Sequence, residues 1–261
     1  MSGLTIAVLV YVGFCVLLYV GQRRLIYFPR AEVETAPAEP VWLPSAGEKL
    51  KLWRLAGTGR SAIIYFGGNA EDVAKNIPDY AGWLPDYSVY FVNYRGYGGS
   101  SGSPTEAALF EDALNVYDAI AEKYQSVVVV GRSLGSSVAI YLAAARDVAR
   151  LVLITPFDSV ERIARSVMPI FPTGWLLRDR FDSVSRAPAV EAPVLVLIAE
   201  ADGVIGRGHS DALVAAFPEP QVTVQVIAGA DHNTVHMWPR YAQSLQEFLA
   251  PSGLPVRNAT E

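Results

Sequence analysis

Cysteine, histidine and charge are scarce in this sequence, and each scarcity narrows the functions that the chain can have. Among 261 residues there is one cysteine, Cys15, and there are three histidines. One cysteine inside an apolar run excludes a disulfide, a cysteine-based metal site and a cysteine nucleophile. The net charge is −5 with no basic block beyond the N-terminal segment, so nucleic acid is not an expected partner. We expect no metal ion and no cofactor.

Apolar residues are plentiful: they make up 51% of the chain, whereas charged residues make up only 18%. This composition supports a sizeable core and argues against bulk disorder. The length fits one ordinary domain with a small additional segment, and no internal repeat is visible.

The additional segment is an apolar run at the N-terminus. Residues 2–21 carry no charge, and a helix of that length reaches about 30 Å, enough to cross the hydrocarbon layer of a membrane. A cleaved signal peptide is the alternative, but no Lys or Arg precedes the run, and a Gln-Arg-Arg triplet at 22–24 ends it instead of small residues. We predict a transmembrane anchor over residues 1–24 and a second unit over residues 25–261.

The charges around this run predict its orientation. Arg23, Arg24 and Arg30 follow the span, and aromatic residues alternate with them as at a headgroup boundary. The positive-inside rule then places the C-terminal unit in the cytoplasm. Residues 31–44, with three glutamates and three prolines, are predicted to form an extended tether leading into a first short strand.

Beyond the tether, apolar runs alternate with helical stretches. Residues 50–55 follow a Ser-Ala-Gly turn and are predicted as a second strand. Six further runs predict strands at residues 62–66, 88–92, 127–130, 151–154, 194–198 and 222–227. Strands separated by helices are typical of a mostly parallel sheet with helices on both faces, so the predicted fold class is α/β.

The best-marked helix follows the fourth strand. Ser103 is its predicted N-cap, with Pro104 at the first helical position and Glu106 at the third. Its predicted apolar face consists of Phe110, Ala113, Leu114, Tyr117, Ala121 and Tyr124.

A run of four valines leads directly into a Gly-x-Ser-x-Gly pentapeptide centred on Ser133, and a predicted helix follows over residues 136–144. Strand, sharp turn and helix are the context in which this pentapeptide holds a serine hydroxyl at the top of a sheet, beside a helix N-terminus. The turn is tight enough to exclude a Cβ atom two residues before and two residues after the serine. We predict Ser133 as a nucleophile.

A nucleophilic serine needs a base, and the base needs an orienting acid. In a fold of this kind the chain order is Ser, then Asp or Glu, then His, each in a loop after a strand. His232 follows the strand at 222–227 and precedes a predicted helix over residues 233–248, so it is the predicted base. His209 opens the preceding helix and His236 lies one turn into the last one; both are predicted as surface or packing residues.

The acid is expected in the loop after the strand at 194–198. Asp202 lies there at the position that loop geometry favours, whereas Glu200 comes two residues too early. Asp231 neighbours the histidine in sequence, and adjacent residues rarely face each other as required. Asp202 is therefore the predicted acid, holding the imidazole tautomer and stabilising the imidazolium.

The oxyanion of an acyl-transfer reaction needs preorganised backbone N–H donors. Leu134, directly after the nucleophile, is the first predicted donor, and Asn69, after the Gly-Gly pair at residues 67–68, is the second. A plain turn with Asn69 capping the next helix is a compatible alternative. The glycine-rich stretch at 93–102 lacks the P-loop ending and the dinucleotide spacing, so we expect a structural loop with Arg95 in a buried polar network.

The alternation breaks between the predicted strands at 151–154 and 194–198, where an insert spans about residues 157–192. Its prolines exclude one long helix. Its bulky apolar residues are Val167, Met168, Ile170, Phe171, Trp175, Leu176 and Leu177. Because the insert follows the strand after the nucleophile, we predict a small lid over the site; a plain surface excursion is the alternative.

Taken in order, these motifs resemble the α/β-hydrolase superfamily. More narrowly, they are similar to its small membrane-anchored branch related to the bud-emergence serine hydrolases, which is akin to prolyl-oligopeptidase-type peptidases. The resemblance covers nearly the whole chain and rests on residues 27–29, 66–70, 93–98, 103–106, 131–135, 178–183 and 229–233. It implies an α/β-hydrolase fold with Ser133, Asp202 and His232 as catalytic triad.

The sequence departs from this family at the oxyanion loop and at the acid loop. Gly67 stands where the family usually has histidine, Ala199-Glu200 replaces His-Gly, and Gly206 replaces a proline. The predicted function is a membrane-anchored serine hydrolase that cleaves an ester, thioester or related acyl bond through an acyl-enzyme. The tether and the apolar lid point to a lipidic or acylated substrate near the bilayer. The alternatives are a serine peptidase and a non-catalytic membrane-anchored binding protein.

Overall fold

The computed structural model describes residues 2–31 and 37–250. Part of the predicted tether lies outside the described residues, and its last six residues belong to the first strand instead. That strand tolerates Pro40 and Pro44 because it lies at the edge of the sheet. An edge strand has no neighbouring strand on its outer side, so a missing N–H there removes no hydrogen bond between strands.

Residues 2–31 and 37–250 form eight strands and eight α-helices. The strands are β1 (Glu39–Ser45), β2 (Glu48–Leu55), β3 (Ser61–Phe66), β4 (Tyr87–Val92), β5 (Ser126–Arg132), β6 (Arg150–Ile154), β7 (Val194–Ala199) and β8 (Val222–Ile227). The helices are α1 (Gly3–Ile26), α2 (Ile77–Trp83), α3 (Glu106–Ala121), α4 (Leu134–Ala145), α5 (Val160–Val167), α6 (Thr173–Leu176), α7 (Arg207–Val214) and α8 (Pro239–Leu249). Short 3-10 helices lie at Val73–Asn76, Ala187–Ala189 and Val235–Met237.

The strands form one sheet in the order β1-β2-β4-β3-β5-β6-β7-β8. Strand β2 pairs antiparallel with β1 and β4, and every other pair is parallel. The predicted fold class is confirmed, and each strand with a predicted range lies within two residues of it. The carboxyl ends of the parallel strands therefore meet at one edge, where a site can form.

Strand β5 shows why a continuous valine run suits this sheet. Successive side chains of a strand point to opposite faces. Val127 and Val129 pack in the cluster that holds α3 and α4, whereas Val128 and Val130 pack in the cluster that holds α2 and α8. Because both faces are covered by helices, neither set can be polar.

Two predicted helix starts are wrong. Helix α3 begins at Glu106, and the Thr105 hydroxyl accepts from the N–H of Ala108 at 3.1 Å, so Thr105 and not Ser103 is the N-cap. The Glu106 carboxylate is engaged with the N–H of Arg180 at 2.7 Å instead of closing a capping box. The final helix begins only at a proline, which starts helices well because its missing N–H has no intrahelical partner there.

The buried face of α3 is also shifted from the prediction. Phe110 and Ala113 are buried as predicted, but Leu109, Val116 and Ile120 complete the face. The remaining predicted members, Leu114, Tyr117, Ala121 and Tyr124, are partly buried and pack at its edge.

Helix α1 differs from the other helices in its exposure. It is 24 residues long and apolar enough to cross a membrane, a test that a signal sequence near the N-terminus also passes. Most of its large apolar side chains are exposed, and Gln22 is its buried residue. Its last turns contact α6, which lies with α5 in the insert between β6 and β7.

Candidate active site

Ser133 lies at the tight turn between β5 and α4. Its backbone has φ 50° and ψ −115°, a conformation that residues other than glycine rarely adopt. A Cβ on Gly131 would lie 2.3 Å from the carbonyl oxygen of Gly135, and a Cβ on Gly135 would lie 2.1 Å from that of Phe66. The prediction that both flanking positions exclude a side chain is confirmed, and the strained turn lifts the serine hydroxyl above the sheet.

The structure brings together the three side chains that the sequence nominated. His232 Nε2 lies 3.0 Å from Ser133 Oγ, and His232 Nδ1 lies 2.8 Å from Asp202 Oδ2. Ser133 follows β5, Asp202 follows β7 and His232 follows β8, so all three lie at the carboxyl edge of the sheet. In this geometry a candidate nucleophile is hydrogen-bonded to a base, and the base is oriented by an acid.

Asp202 is held as an ionised carboxylate. Its Oδ1 accepts from the N–H groups of Val204 at 2.9 Å and Ile205 at 2.7 Å, which leaves Oδ2 to face the imidazole. Burial by itself would raise the pKa of Asp202, but the hydrogen bonds from His232 and from the two N–H groups outweigh it, so the pKa is lowered. A carboxylate that stays charged favours the imidazolium that forms during proton transfer.

The competing acids are engaged elsewhere. Glu200 Oε2 accepts from the N–H of Gly229 at 2.9 Å, and Asp231 Oδ1 accepts from the N–H of Asn233 at 2.8 Å. Each therefore stabilises a turn of the His232 loop and neither binds the imidazole nitrogens.

The two remaining histidines, His209 and His236, make no hydrogen bond to Ser133 within the described residues. His209 Nδ1 is 2.9 Å from Asp158 Oδ1, a contact that ties α7 to the start of the insert. His236 lines the wall of the cavity that contains Ser133. Its pKa is lowered by burial first and by the nearby Arg132 cation second.

The loop after β3 faces the nucleophile and carries the predicted second oxyanion donor. The N–H of Gly68 is engaged with Glu71 Oε2 at 2.7 Å. Within the described residues, no protein acceptor takes the N–H of Asn69 or the N–H of Leu134. The Asn69 side chain donates to the carbonyl of Ile26 at 3.0 Å and does not cap the next helix, whose N-cap is Asp72.

Sequence reasoning missed an ion pair beneath this loop. Arg132 Nη1 lies 3.5 Å from Glu71 Oε2, and Arg132 Nη2 donates to the carbonyls of His232 and Asn233 at 3.2 Å each. Both charged side chains are largely buried. The available signal was a charged residue, Arg132, directly before the serine. A charge at the end of a buried strand needs a partner, and here that partner comes from another loop.

The glycine-rich loop after β4 has the structural role that was predicted. Arg95 makes a two-point contact with Asp112 of α3, with both N–O distances 2.7 Å, and this pair is buried. From the same loop, the Tyr97 hydroxyl donates to the carbonyl of Asn69 at 2.8 Å. The loop after β4 thus supports, from behind, the loop that carries the predicted oxyanion donor.

Ser133 opens into a cavity of about 550 Å³. Its apolar wall combines residues of the insert and of α1: Phe157, Val160, Ile163, Leu25 and Ile26. Its opposite wall is polar and includes Lys75, Asp79, Asn76 and His236. No group of three His, Cys, Asp or Glu side chains within residues 2–31 and 37–250 is arranged to hold a metal ion.

This sheet order, with a serine on the strained turn after β5, is the architecture of hydrolases with an α/β fold. The chain belongs to the alpha/beta hydrolase family, because a family model of that description matches residues 55–257. An uncharacterized protein of Mycobacterium tuberculosis is 34% identical over 244 residues, which are 87% of this chain and 86% of that protein. Alpha/beta hydrolase domain-containing protein 17B of Homo sapiens is 28% identical over 203 residues, 76% of this chain and 69% of that protein.

Solved structures agree on the fold. An esterase of Pyrococcus furiosus has a TM-score of 0.70 at 19% identity and covers 86% of this chain and 98% of its own. An enol-lactonase of Burkholderia xenovorans has a TM-score of 0.64 at 15% identity, covering 81% of this chain and 100% of its own. At these identities the likeness establishes the architecture alone.

Proposed function

We propose that the protein is a membrane-anchored serine hydrolase that cleaves an ester, thioester or related acyl bond. The observation that carries this proposal is the chain of hydrogen bonds from Ser133 through His232 to Asp202 at the floor of an open cavity. Family membership and the esterase fold of a structural neighbour are consistent with it.

The proposed reaction begins with proton transfer. His232 Nε2 removes the proton of Ser133 as its Oγ attacks the substrate carbonyl carbon, and the imidazolium is stabilised by Asp202 through Nδ1. The same proton passes to the leaving alcohol or thiol as its bond to carbon breaks, which leaves an acyl-enzyme on Ser133. Water then attacks the acyl carbon as His232 Nε2 takes its proton. That proton passes to Ser133 Oγ as the bond between Oγ and the acyl carbon breaks, and the carboxylic acid is released.

The negative oxygen of each tetrahedral intermediate needs donors that are in place beforehand. We assign this role to the N–H groups of Leu134 and Asn69, since the N–H of Gly68 already donates to Glu71. The carbonyl of Asn69 accepts from the Tyr97 hydroxyl at 2.8 Å and from the N–H of Phe28 at 3.1 Å. These bonds hold the loop rigid, so the donor needs no reorganisation during the reaction.

We also propose that α1 anchors the protein in a membrane with the hydrolase unit on the cytoplasmic side. The length, composition and exposure of α1 support the anchor, and the arginines that follow it support the orientation. Digestion of the hydrolase unit by a protease added outside intact cells or spheroplasts would contradict the orientation.

The test of the catalytic proposal is labelling of the full chain with a fluorophosphonate probe, which reacts with activated serines. We expect wild type to be labelled, Ser133→Ala and His232→Ala to be unlabelled, and the exposed control Ser185→Ala to be labelled like wild type. A folded wild type that takes no label in a membrane would contradict the hydrolase and favour a binding protein. Cleavage of amide substrates at rates comparable to esters would favour a peptidase.

A further inference from the structure

A second cavity, here called the anchor-lid cavity, lies between the end of α1 and the insert and has a volume of about 240 Å³. Apart from Gln22 and Thr173 its lining residues are apolar, and they include Leu25 and Ile26 of α1 and Val160, Ile163 and Ala164 of α5. The polar atoms of Gln22 are occupied, since Nε2 donates to the carbonyl of Leu176 at 3.0 Å and Oε1 accepts from the N–H of Arg178 at 2.7 Å. The lining therefore offers an almost wholly apolar surface.

The anchor-lid cavity adjoins the cavity that contains Ser133. Leu25 and Ile26 of α1 and Val160 and Ile163 of α5 line both of them. The division between the two spaces is therefore formed by apolar side chains from α1 and α5. An apolar chain attached to a carbonyl at Ser133 could extend past these side chains into the second cavity.

The middle of the insert reaches far along α1. The Tyr11 hydroxyl donates to the carbonyl of Ile170 at 2.8 Å, and the ring of Tyr11 stacks on that of Phe171 with centroids 5.6 Å apart. Tyr11 precedes Gln22 by three turns of α1, a distance of about 16 Å along the helix axis. If α1 crosses a bilayer, this part of the insert lies at the depth of the hydrocarbon.

The surface of this region, the lid tip (residues 167–175), suits that depth. Val167, Ile170 and Trp175 are 73%, 71% and 90% exposed, an apolar surface that lipid would cover. Its two prolines have no N–H to satisfy, and the N–H groups of Phe171 and Trp175 donate to carbonyls within the lid tip. Each of these bonds satisfies a backbone group that hydrocarbon would otherwise leave without a partner.

We propose that the anchor-lid cavity receives the acyl chain of a membrane-resident substrate, which enters sideways from the bilayer between α1 and the lid tip. The occupant is an acyl chain, because the cavity has an apolar lining and shares four wall residues with the cavity that contains Ser133. Helix α1 is then a wall of the binding site as well as an anchor. This inference rests on the proposed hydrolase function.

The first experiment fills the cavity in the full-length protein. Ala164→Trp places a large side chain on the cavity wall, and Ser166→Trp, an exposed position of the same helix outside the lining, is the matched control. The substrates are p-nitrophenyl acetate and p-nitrophenyl decanoate. We expect Ala164→Trp to lower the decanoate-to-acetate ratio of kcat/KM by about tenfold, since each buried methylene favours binding by about fourfold, while Ser166→Trp keeps the wild-type ratio.

The outcomes separate this inference from the function on which it rests. An unchanged ratio in an Ala164→Trp variant that still reacts with fluorophosphonate would overturn the acyl-chain site and leave the hydrolase standing. A folded wild type that neither takes the probe nor cleaves either ester would instead contradict the hydrolase function.

A second measurement does not depend on turnover or on the Ala164 variant. Wild type in vesicles of phosphatidylcholine with brominated acyl chains is compared with Trp175→Phe and with the control Trp42→Phe on β1. We expect bromine to quench wild type and Trp42→Phe more strongly than Trp175→Phe, because the Trp175 indole lies in the hydrocarbon. Equal fractional quenching of wild type and Trp175→Phe would overturn the placement of the lid tip and with it the sideways entry.

Discussion

Glu71 and Arg132 form a largely buried ion pair that connects the two loops flanking the nucleophile. Glu71 also accepts from the N–H of Gly68 in the oxyanion loop, and Arg132 also donates to the carbonyl of His232. Burial by itself would lower the pKa of Arg132, but the nearby Glu71 raises it above the usual value, so the guanidinium stays charged. The position of the proposed base is therefore linked to the position of the loop that carries a proposed oxyanion donor.

Arg132→Gln is expected to lower kcat by about 10²-fold with little change in KM, because a base displaced by about 1 Å transfers protons poorly. Glu71→Gln should act in the same direction, and the double variant should lose much less than the product of the single losses. Steady-state kinetics with a short ester measure all three. Arg146→Gln, which removes an exposed pair with Asp118, is the control and should stay near wild type. Additive losses in Arg132 and Glu71 would show that the pair does not act as a unit.

Asp202→Asn should preserve the fold and lower kcat by about 10⁴-fold, because the amide favours the wrong imidazole tautomer. Asp231→Asn is the matched control: its Oδ1 caps a turn and an asparagine oxygen can accept the same bonds. Esterase assays and circular dichroism on both variants measure the contrast. The assignment of the acid would be wrong if Asp231→Asn lost the activity and Asp202→Asn kept it.

Gly135→Ala should destabilise the protein by about 3 kcal/mol or more, because the new Cβ would lie 2.1 Å from the carbonyl oxygen of Phe66. Backbone atoms cannot withdraw as a flexible side chain can. Gly208→Ala is the control, since nothing lies within 4 Å of a Cβ at that position. Urea unfolding in detergent compares the two; equal stabilities would refute the tight fit of the serine turn.

Stability is expected to fall as the pH drops below about 6.5, the ordinary pKa of histidine, because the pKa of His236 is lowered in the folded state by burial and by Arg132. Between the folded and the ordinary pKa the unfolded chain binds more protons, so acid favours unfolding. Glu71 and Asp79 oppose this shift without cancelling it. His236→Gln should flatten the dependence of Tm on pH below 6.5 and leave the dependence above pH 7 unchanged. An identical acid slope in both proteins would contradict the assignment.

Local patterns in the sequence carried the architecture far. The ends of strands with continuous apolar runs were predicted to within two residues, because burial on both faces requires apolar side chains at successive positions of the strand. Ser133 was recognisable because the strand, the turn with two glycines and the helix are contiguous. The predicted starts of α3 and α8 were wrong. For α3, Thr105 and Ser103 both suit an N-cap, and the contact between Glu106 and Arg180, which are distant in sequence, favours Thr105.

Long-range contacts decided the rest. His232 lies 99 residues from Ser133 and 30 from Asp202. Three carboxylates lie close enough in sequence to be its partner, and only the folded loops show which of them contacts the imidazole. The Glu71–Arg132 pair and the anchor-lid cavity each join segments distant in sequence. The sequence by itself therefore determined the sheet, the serine turn and the apolar N-terminal helix, because these arise from local periodicity and turn chemistry. The tertiary structure alone decided which charges meet and which apolar walls enclose a cavity, because both depend on the packing of elements that are far apart along the chain.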